Sequence, residues 1–319
     1  MSIISNCTAA TLKDAAISLI DGNLVAFPTE TVYGLGADAC NEEAVARIYQ
    51  VKGRPSDHPL IIHISSMELL DKWASEIPEY AIKLARNFWP GPMTLVLKRT
   101  NLAKDFITGG QDTVAIRVPS HTLANQLLKE FESLGGYGVA APSANRFGKV
   151  SPTTAKAVKD GISSHLFIFD KILEGGPSVV GIESTIIDCC GVAPVVLRPG
   201  SVTESEIKSL IQYEDYILIP QDKKIRVPGS LKSHYKPATP VVLSSDPEKG
   251  DGFIAFMSTP TPEGVIRLAS PQNISEYARE LYEALRMADY LKLKRVCVVK
   301  APNIGIGIAI NDRLFKMVQ

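Results

Sequence analysis

The sequence predicts an α/β protein of two domains, and three observations support this fold class. Short apolar runs alternate with amphipathic segments up to residue 212 of the 319, as expected for strands followed by helices. This alternation stops at Tyr213, where a stretch rich in Lys, Pro and Ser begins. After Pro240 a second, smaller set of apolar runs surrounds one long amphipathic segment. We therefore predict a first domain over 1–212, a linker over 213–239 and a small α/β domain over 240–319.

The spacing of the apolar residues places each element of both domains. Strands of the first domain are predicted near 23–28, 59–64, 93–98, 113–118, 137–141, 166–169, 183–188 and 194–198. Its helices are predicted near 8–22, 41–51, 66–73, 78–88, 121–133, 153–160 and 203–212. In the second domain we expect strands near 241–245, 253–257, 265–269 and 295–300, a helix at 275–291 and a last helix from about Gly307. Because strands of the first domain follow closely along the chain, its sheet is expected to be mixed, and the second sheet mainly parallel.

Composition and charge exclude several classes of protein. Lysine plus arginine equals aspartate plus glutamate, 34 against 34, so there is no overall basic field of the kind that marks a dedicated nucleic-acid binder. The N-terminus lacks a signal-peptide pattern and no apolar run approaches the length of a membrane span, so we expect a soluble cytoplasmic protein without a membrane partner. The five cysteines show no C-x-x-C spacing, which favours reduced structural thiols over a zinc site.

The stretch Phe27 to Gly36 is the first candidate for a functional loop. It follows the apolar run 24–27, so a buried strand delivers Thr29, Glu30, Thr31 and Tyr33 onto a connection at its end. Strand ends are where α/β proteins bind ligands. Gly34 and Gly36 allow the backbone to turn tightly or to approach a ligand closely. The structural alternative is an ordinary polar turn between a strand and a helix.

Arginines beside prolines form a second pattern. Arg54, Arg117, Arg198 and Arg226 each have a proline within two residues, and Lys52 precedes Arg54. Proline restricts its own backbone and that of its neighbour, so these guanidinium groups start from stiff turns or strand ends and suit phosphates and carboxylates. Each pairing taken alone fits an ordinary surface turn, but together they favour a convergent anion site.

Neutral polar groups follow other predicted strands. Ser143 and Asn145 lie directly after the strand 137–141, and Ser151 precedes Pro152 at a predicted helix start, where it is also an ordinary N-cap candidate. His63 lies inside an apolar strand, and a hydrogen-bonded core histidine is its structural alternative. No Walker loop, G-x-G-x-x-G or H-E-x-x-H motif occurs, which excludes the commonest nucleotide and metalloprotease sites.

These segments together resemble the YrdC-like threonylcarbamoyl-adenylate synthases. The resemblance is carried, in family order, by P-T-E-T-V-Y-G-L-G (28–36), K-G-R-P-x-x-x-P-L (52–60), W-P-G-P-M-T (89–94), A-I-R-V-P (115–119), A-P-S-A-N (141–145), S-P-T (151–153), E-S-T-I-I-D (183–188) and L-R-P-G (197–200). It covers about residues 10–210. A linker with H-Y-x-P at 234–237 and the final G-I-G-I-A-I-N-D-R-L (305–314) resemble the long form of the family, which has an extra C-terminal domain.

The resemblance implies an open, twisted mixed sheet with a positively lined cavity and a defined reaction. L-Threonine, bicarbonate and ATP, with Mg²⁺ accompanying the nucleotide, would give threonylcarbamoyl-adenylate and diphosphate. Other proteins would then transfer the threonylcarbamoyl group to certain transfer RNAs. A weak contact of RNA with the basic groove is left open.

Carried over by motif, the family pattern divides the site residues into two sets. The threonine set is Thr31, His63, Arg117, Ala141 through its backbone, and Ser184. The nucleotide set is Lys52, Arg54, His58, Thr113, Ser143, Asn145, Ser151, Arg198 and Tyr235, with Lys52 and Arg54 also expected to act on the reacting phosphates. The chain departs from the family at His58, where asparagine is usual, and at Ser230–Leu231, where a methionine-containing turn is expected. No residue is assigned as general base.

Two other classes of protein are alternatives to a synthase. A double-stranded RNA binder would use the same positive groove, and a carbamoyl-transfer module of hydrogenase maturation would share the core but would normally bring zinc-finger cysteines. The linker crowds Arg226, Lys232, His234, Tyr235 and Lys236 together, so we expect it to fold over the cavity as a lid that brings Tyr235 to the nucleotide. A flexible, solvated tether is the alternative.

Overall fold

The structure is a computed structural model that describes residues 4–6, 8–211, 225–229 and 234–318. The described strands of the first domain are β1 (Ile4–Asn6), β2 (Val25–Phe27), β3 (Gly34–Asp38), β4 (Ile61–His63), β5 (Ala74–Ser75), β6 (Met93–Arg99), β7 (Thr113–Arg117), β8 (Val139–Ala140), β9 (Lys171–Glu174), β10 (Thr185–Asp188) and β11 (Val195–Arg198). Its helices are α1 (Ala9–Ile20), α2 (Glu42–Lys52), α3 (Leu70–Trp73), α4 (Glu79–Phe88), α5 (Asp105–Thr108), α6 (Thr122–Ser133), α7 (Ala155–Ile162) and α8 (Glu204–Ile211). Single 3₁₀ turns lie at Met67–Leu69 and Ser163–His165.

The first sheet is mixed, as the sequence predicts. Its strand order is β1-β9-β2-β3-β8-β4-β7-β6-β10-β11, with β5 added beside β6. The pairs β4–β7 and β6–β10 are parallel, whereas β3 and β8 at the centre pair antiparallel with each other and with their outer neighbours β2 and β4. Because β8 runs antiparallel to β4, the residues after β8 lie beside the start of β4.

Helices cover both faces of this sheet. On one face α1 and α6 pack together over Val25, Phe27, Val139 and Leu173. The other face carries the larger core cluster, to which α2, α4, α7 and α8 contribute buried side chains. A sheet covered on both faces holds its strand ends rigidly, which is what a preorganised site requires.

The second domain is a four-stranded parallel sheet, in agreement with the sequence prediction. Its described elements are β12 (Val241–Leu243), β13 (Gly252–Ile254), β14 (Ile266–Ala269), α9 (Ile274–Tyr290), β15 (Val296–Val298) and α10 (Ile306–Val318). The strand order is β12-β15-β13-β14. Its core includes Val32, Val150 and Ile182 of the first domain, so the two domains share an apolar interface. The predicted boundary at 212/213, Ser230–Leu231 and Lys232 lie outside the described residues. Within the part of the chain that is described, no helix has the length and apolar character needed to cross a membrane.

The structure corrects two details of the sequence analysis. The strand predicted at 166–169 lies instead at β9, because Ile172 and Leu173 are the buried pair, whereas Phe167, Ile168 and Phe169 are exposed. The helix predicted at 153–160 is α7, and its N-cap is Thr154 rather than Ser151. The Thr154 hydroxyl accepts from the Ala157 N–H at 3.1 Å, whereas the Ser151 hydroxyl is turned inward. The other predicted elements shift at their ends by a few residues.

β3 is a strand that the sequence analysis missed, since its two glycines indicated a turn. Gly36 lies opposite Val25 of β2, and a Cβ added there would stand 2.7 Å from Val139 Cγ1 and 2.8 Å from Phe27 Cε1. Glycine is therefore required at the centre of the sheet by the close approach of neighbouring side chains.

We expect Gly36→Ala to destabilise the first domain by about 1–3 kcal/mol, because the new methyl group overpacks a rigid core. The matched control is Gly161→Ala in α7, where nothing lies within 4 Å of the added Cβ and a gain of about 0.5–1 kcal/mol is expected. Urea unfolding followed by the fluorescence of Trp73 and Trp89, both in the first domain, measures the difference. Equal stability of the two variants would contradict the packing described here.

Candidate active site

A cavity opens where several connections of the first sheet meet the linker. Its walls come from the loop after β2, the end of α2, the last residues of β4, β7 and β11, the loop after β8, the segment before β10, and the linker. The residues that line it are Thr29, Thr31, Val32, Gly34, Lys52, Arg54, Ile61, His63, Arg117, Ala141, Pro142, Ser143, Asn145, Phe147, Glu183, Ser184, Arg198, Pro228, Gly229, His234 and Tyr235.

The open volume of this cavity is about 50 Å³, which is small for a ligand site. Cavities that hold small ligands usually measure about 300–1,000 Å³. The linker residues at 228–229 and 234–235 form part of the wall, so the described conformation is a closed one. A nucleotide can enter only if these linker segments move outward.

Two cations at the end of α2 lie deep in the wall. Lys52 Nζ donates to the carbonyls of Ser143 and Asn145, both at 2.6 Å. Burial, together with the positive charges of Arg54 and Arg146, lowers the pKa of Lys52 well below its usual value. Arg54 donates through Nη2 to the Pro59 carbonyl at 2.8 Å, and its buried Nε has no hydrogen-bond partner among the described residues. Burial lowers the pKa of Arg54 to about 10, which still leaves this guanidinium charged at neutral pH.

Arg198 joins the cavity wall to the linker. Its Nε and Nη2 donate to the Ser184 carbonyl at 3.0 and 2.9 Å, and Nη1 donates to the Pro228 carbonyl at 3.0 Å. A buried guanidinium thus binds one carbonyl of the site and one of the segment that closes it. Displacement of residue 228 would free Nη1 for a ligand.

Arg117 and Thr31 line another part of the cavity, where Arg117 pairs with Glu30. Arg117 donates through Nη2 to Glu30 Oε1 at 2.7 Å, through Nη1 to Thr31 Oγ1 at 2.9 Å and through Nε to the Gly91 carbonyl at 3.2 Å. Glu30 also accepts from the Ser120 N–H at 3.2 Å, so the ion pair is fixed in a buried position. Three of the five guanidinium N–H groups are used, which leaves two for an incoming carboxylate.

The other members of the threonine set, His63, Ala141 and Ser184, also line the cavity. His63, at the end of β4, is buried, and burial together with Arg117 lowers the pKa of His63 to about 3, so its imidazole is neutral. The Ala141 N–H donates to the Ile61 carbonyl at 2.9 Å, so a backbone contact with a ligand would have to use the Ala141 carbonyl. The Ser184 hydroxyl lies 2.8 Å from Thr94 Oγ1 and 3.0 Å from Arg198 Nη2.

Tyr235 brings the linker into the site in a strained conformation. Its φ is 64°, a left-handed value that an aromatic residue rarely adopts. Its ring is buried, and in the described parts of the chain its hydroxyl has no hydrogen-bond partner. The same is true of Asn145 Oδ1 on the facing loop. Strain and unsatisfied polar atoms concentrate where ligands bind, and both residues line the cavity.

Three residues of the expected nucleotide set do not line the cavity. His58 is half-buried behind Phe147, with the ring centroids 5.4 Å apart. Ser151 is buried and donates to Glu183 Oε1 at 2.6 Å. Thr113, at the start of β7, lines a separate surface groove with Lys98 and Asp105. Six members do line the cavity, namely Lys52, Arg54, Ser143, Asn145, Arg198 and Tyr235.

The sequence analysis missed the two carboxylates of this region. Glu30 and Glu183 lie inside the quoted motifs P-T-E-T and E-S-T but were given no role. Both are buried, and each pairs with an arginine, Glu30 with Arg117 and Glu183 with Arg313. A glutamate in an otherwise apolar and hydroxyl-rich motif was the available signal, because buried carboxylates need such partners.

Two protein-family models match the chain and together span both domains. The model for Sua5, YciO and YrdC proteins, described as telomere recombination, matches residues 18–200. The model described as the C-terminal domain of threonylcarbamoyl-AMP synthase matches residues 202–317.

Individual relatives match along nearly their whole length. A threonylcarbamoyl-AMP synthase of Pyrococcus abyssi is 40% identical over 323 residues, which is 96% of this chain and 93% of the relative. One from Bacillus subtilis is 38% identical over 325 residues, covering 96% and 92%. The crystal structure of P. abyssi Sua5 complexed with L-threonine superposes with a TM-score of 0.87 at 38% identity, covering 99% of this chain and 98% of that one.

The low pKa of His63 predicts that stability depends on pH. An unfolded histidine titrates near 6.5, so between about pH 6.5 and 3 the unfolded state binds one more proton than the folded state. The contribution of His63 to folding stability is therefore fully present above about pH 6.5 and is lost as the pH falls towards 3. From pH 7 to 5 we expect His63 to account for a loss of about 2 kcal/mol. Urea unfolding of the wild type and of His63→Gln at both pH values measures this difference, and equal losses in the two proteins would contradict it.

Proposed function

The chain belongs to the threonylcarbamoyl-AMP synthase family, and from that premise we propose that its cavity makes threonylcarbamoyl-adenylate and diphosphate from L-threonine, bicarbonate and ATP. The product supplies the threonylcarbamoyl group of modified transfer RNA. The observation that carries the placement of the reaction is the convergence of buried Lys52, Arg54, Arg117 and Arg198 on one cavity. A polyanion and a carboxylate are the ligands that such a site favours.

L-Threonine would bind on the side of Arg117. The two unused N–H groups of this guanidinium suit a carboxylate, and Glu30 holds the guanidinium from behind. The Thr31 and Ser184 hydroxyls and the neutral His63 imidazole offer hydrogen bonds to the amine and hydroxyl of the substrate. A neutral His63 imidazole has one ring nitrogen that can accept a hydrogen bond from the amine.

ATP would place its phosphates on the side of Lys52, Arg54 and Arg198. Arg54 Nε has no partner in the described residues, and Arg198 Nη1 becomes free when Pro228 moves. Asn145 Oδ1 and the Tyr235 hydroxyl, which are also without partners in the described chain, are available for the nucleoside. The His58 position, behind Phe147, is suited to supporting this wall rather than to touching the ligand.

The chemistry needs alignment and charge neutralisation more than an activated side chain. The threonine amine attacks bicarbonate, and loss of water gives the carbamate. A carbamate oxygen then attacks the α-phosphorus of ATP, and the bond from this phosphorus to the diphosphate breaks. Lys52, Arg54 and Arg198 would stabilise the charge that develops on the phosphates. The closed linker would exclude water and protect the mixed anhydride until release.

Mg²⁺ would arrive with ATP as part of the substrate. Among the described residues, no group of three or more His, Cys, Asp or Glu could hold a metal ion. Glu183 lines the cavity, but its oxygens already accept from Ser151, Tyr282 and Arg313. The phosphate oxygens and water would therefore ligate the cation, which offsets phosphate charge.

The rival functions fit the site less well. A double-stranded RNA binder presents its cations on the surface, whereas the cations here are buried around a closed cavity. A role as a carbamoyl-transfer module would not explain the second domain, which matches the C-terminal domain model of the synthase family. Proteins that place the threonylcarbamoyl group on transfer RNA are the partners that this product requires.

We expect Arg54→Met to lower kcat/KM for ATP by about 10- to 150-fold, since a charge-assisted hydrogen bond contributes about 1.5–3 kcal/mol. Diphosphate release, with the adenylate identified by mass spectrometry, is the measurement. Lys171→Met is the control, because it removes a positive charge from a surface pair with Asp14. Unchanged activity of Arg54→Met would show that the phosphates bind elsewhere.

Serine should be a poorer substrate than threonine by about 1–3 kcal/mol in kcat/KM, since one methyl group in a small pocket discriminates by no more than that. The same assay with each amino acid measures the ratio. If both amino acids reacted equally well, the substrate would not lie in the pocket between Thr31 and His63.

A further inference from the structure

The second domain inserts an arginine into the wall of the cavity. Arg313, on α10, is fully buried and donates through Nε to Glu183 Oε2 at 3.0 Å and through Nη1 to the Pro199 carbonyl at 2.8 Å. Tyr282, on α9, donates to the same Glu183 oxygen at 3.0 Å. Glu183 belongs to the first domain and lines the cavity beside Ser184. The domain interface therefore reaches the active site itself.

Three side chains donate hydrogen bonds to the Glu183 carboxylate and fix its position. The Ser151 hydroxyl donates to Oε1 at 2.6 Å, and Tyr282 and Arg313 occupy Oε2. Burial raises the pKa of Glu183, but Arg313, Arg198 and the Ser151 hydroxyl outweigh burial and lower it to about 2. A charged carboxylate thus stands in the wall of a cavity for phosphates, where it is tolerable only while its charge is neutralised.

The same helix holds both described segments of the closed linker. The Arg313 guanidinium carbon lies 5.4 Å from the centre of the Tyr235 ring. Lys316 Nζ donates to the Gly229 carbonyl at 2.9 Å, and the His234 N–H donates to the Lys316 carbonyl at 3.1 Å. One turn of α10, from Arg313 to Lys316, therefore contacts both Glu183 and the linker.

We propose that Arg313 is a positioning residue for the nucleotide site, which it completes by neutralising Glu183 and by supporting the ring of Tyr235. The proposal rests on the function assigned above, since it requires that phosphates bind beside Glu183. Without Arg313, the carboxylate would face the phosphates with only Arg198 of β11 as a close cation, while Tyr282, His234 and Tyr235 pack around it. The threonine side would change little, because first-domain contacts hold Ser184 and Arg117.

Steady-state kinetics of the full chain with Arg313→Met, Glu183→Gln and the double variant test this role. We expect Arg313→Met to raise KM for ATP about tenfold or more while KM for threonine stays within about twofold. Combining it with Glu183→Gln should return KM for ATP to near that of Glu183→Gln alone, because the repelling charge is gone. In Arg313→Met alone, the pKa of Glu183 should be higher, because burial is less opposed, so KM for ATP should also increase as the pH is raised and the carboxyl ionises; the double variant should lose this dependence.

Arg286→Met is the matched control, since Arg286 is another second-domain arginine that binds a first-domain carbonyl, that of Val150 at 2.5 Å, without lining the cavity. A change in melting temperature with unchanged KM for ATP is expected for it. The same pattern in Arg313→Met, or a double variant as impaired as the single one, would overturn the proposal. If Arg313→Met does not fold, Arg313→Gln replaces it, since glutamine removes the charge but keeps N–H donors for Glu183: an increase in KM for ATP supports the role and an unchanged value refutes it.

Failure of this inference can be distinguished from failure of the proposed function. A wild-type protein that releases no diphosphate with ATP, bicarbonate and threonine would refute the function. An active wild type, with Arg54→Met impaired and Arg313→Met unimpaired, would refute only the role of Arg313.

Discussion

A cation taken out of water must recover several kcal/mol of lost hydration, and the first domain buries four cations around one cavity. Arg117 recovers part of this cost from Glu30, but no carboxylate within salt-bridge distance of Lys52, Arg54 or Arg198 occurs among the described residues. Backbone carbonyls accept hydrogen bonds from all three of these side chains. Carbonyl dipoles neutralise less charge than an anion does, so the closed cavity keeps a positive potential that a triphosphate would relieve.

The fold meets this requirement by placing rigid connections around the cavity. β4 and β7 run parallel and end beside each other at His63 and Arg117. The antiparallel β8 runs back alongside β4 and leads into the loop 141–145, whose carbonyls accept from Lys52. The second domain adds Arg313 from the outside. Arg117 and Arg198 are thus each fixed by groups from two separate segments of the chain.

The sequence allowed most strands and helices to be located, because apolar periodicity is strong in elements buried on one or both faces. The sequence pattern was misleading where a single tertiary contact decides the secondary structure. Gly34 and Gly36 indicated a turn, but both lie in a central strand, where Phe27 and Val139 leave no room for a side chain at Gly36. Three consecutive apolar residues at 167–169 indicated a strand, yet they are exposed, and the strand begins after the buried Asp170, which accepts from the Leu24 N–H at 2.8 Å. Glu183 and Arg313 lie 130 residues apart, so no local pattern could pair them.

The central claim is that threonine and ATP bind side by side in this cavity, with the linker as part of the wall. A crystal structure of the full chain with L-threonine and a non-hydrolysable ATP analogue tests it most directly. We expect the threonine carboxylate to lie about 3 Å from the Arg117 guanidinium. The phosphates should lie beside Arg54 and Arg198, with residue 228 displaced from its contact with Arg198. A nucleotide bound in the surface groove at Thr113, or a carboxylate away from Arg117, would contradict the account.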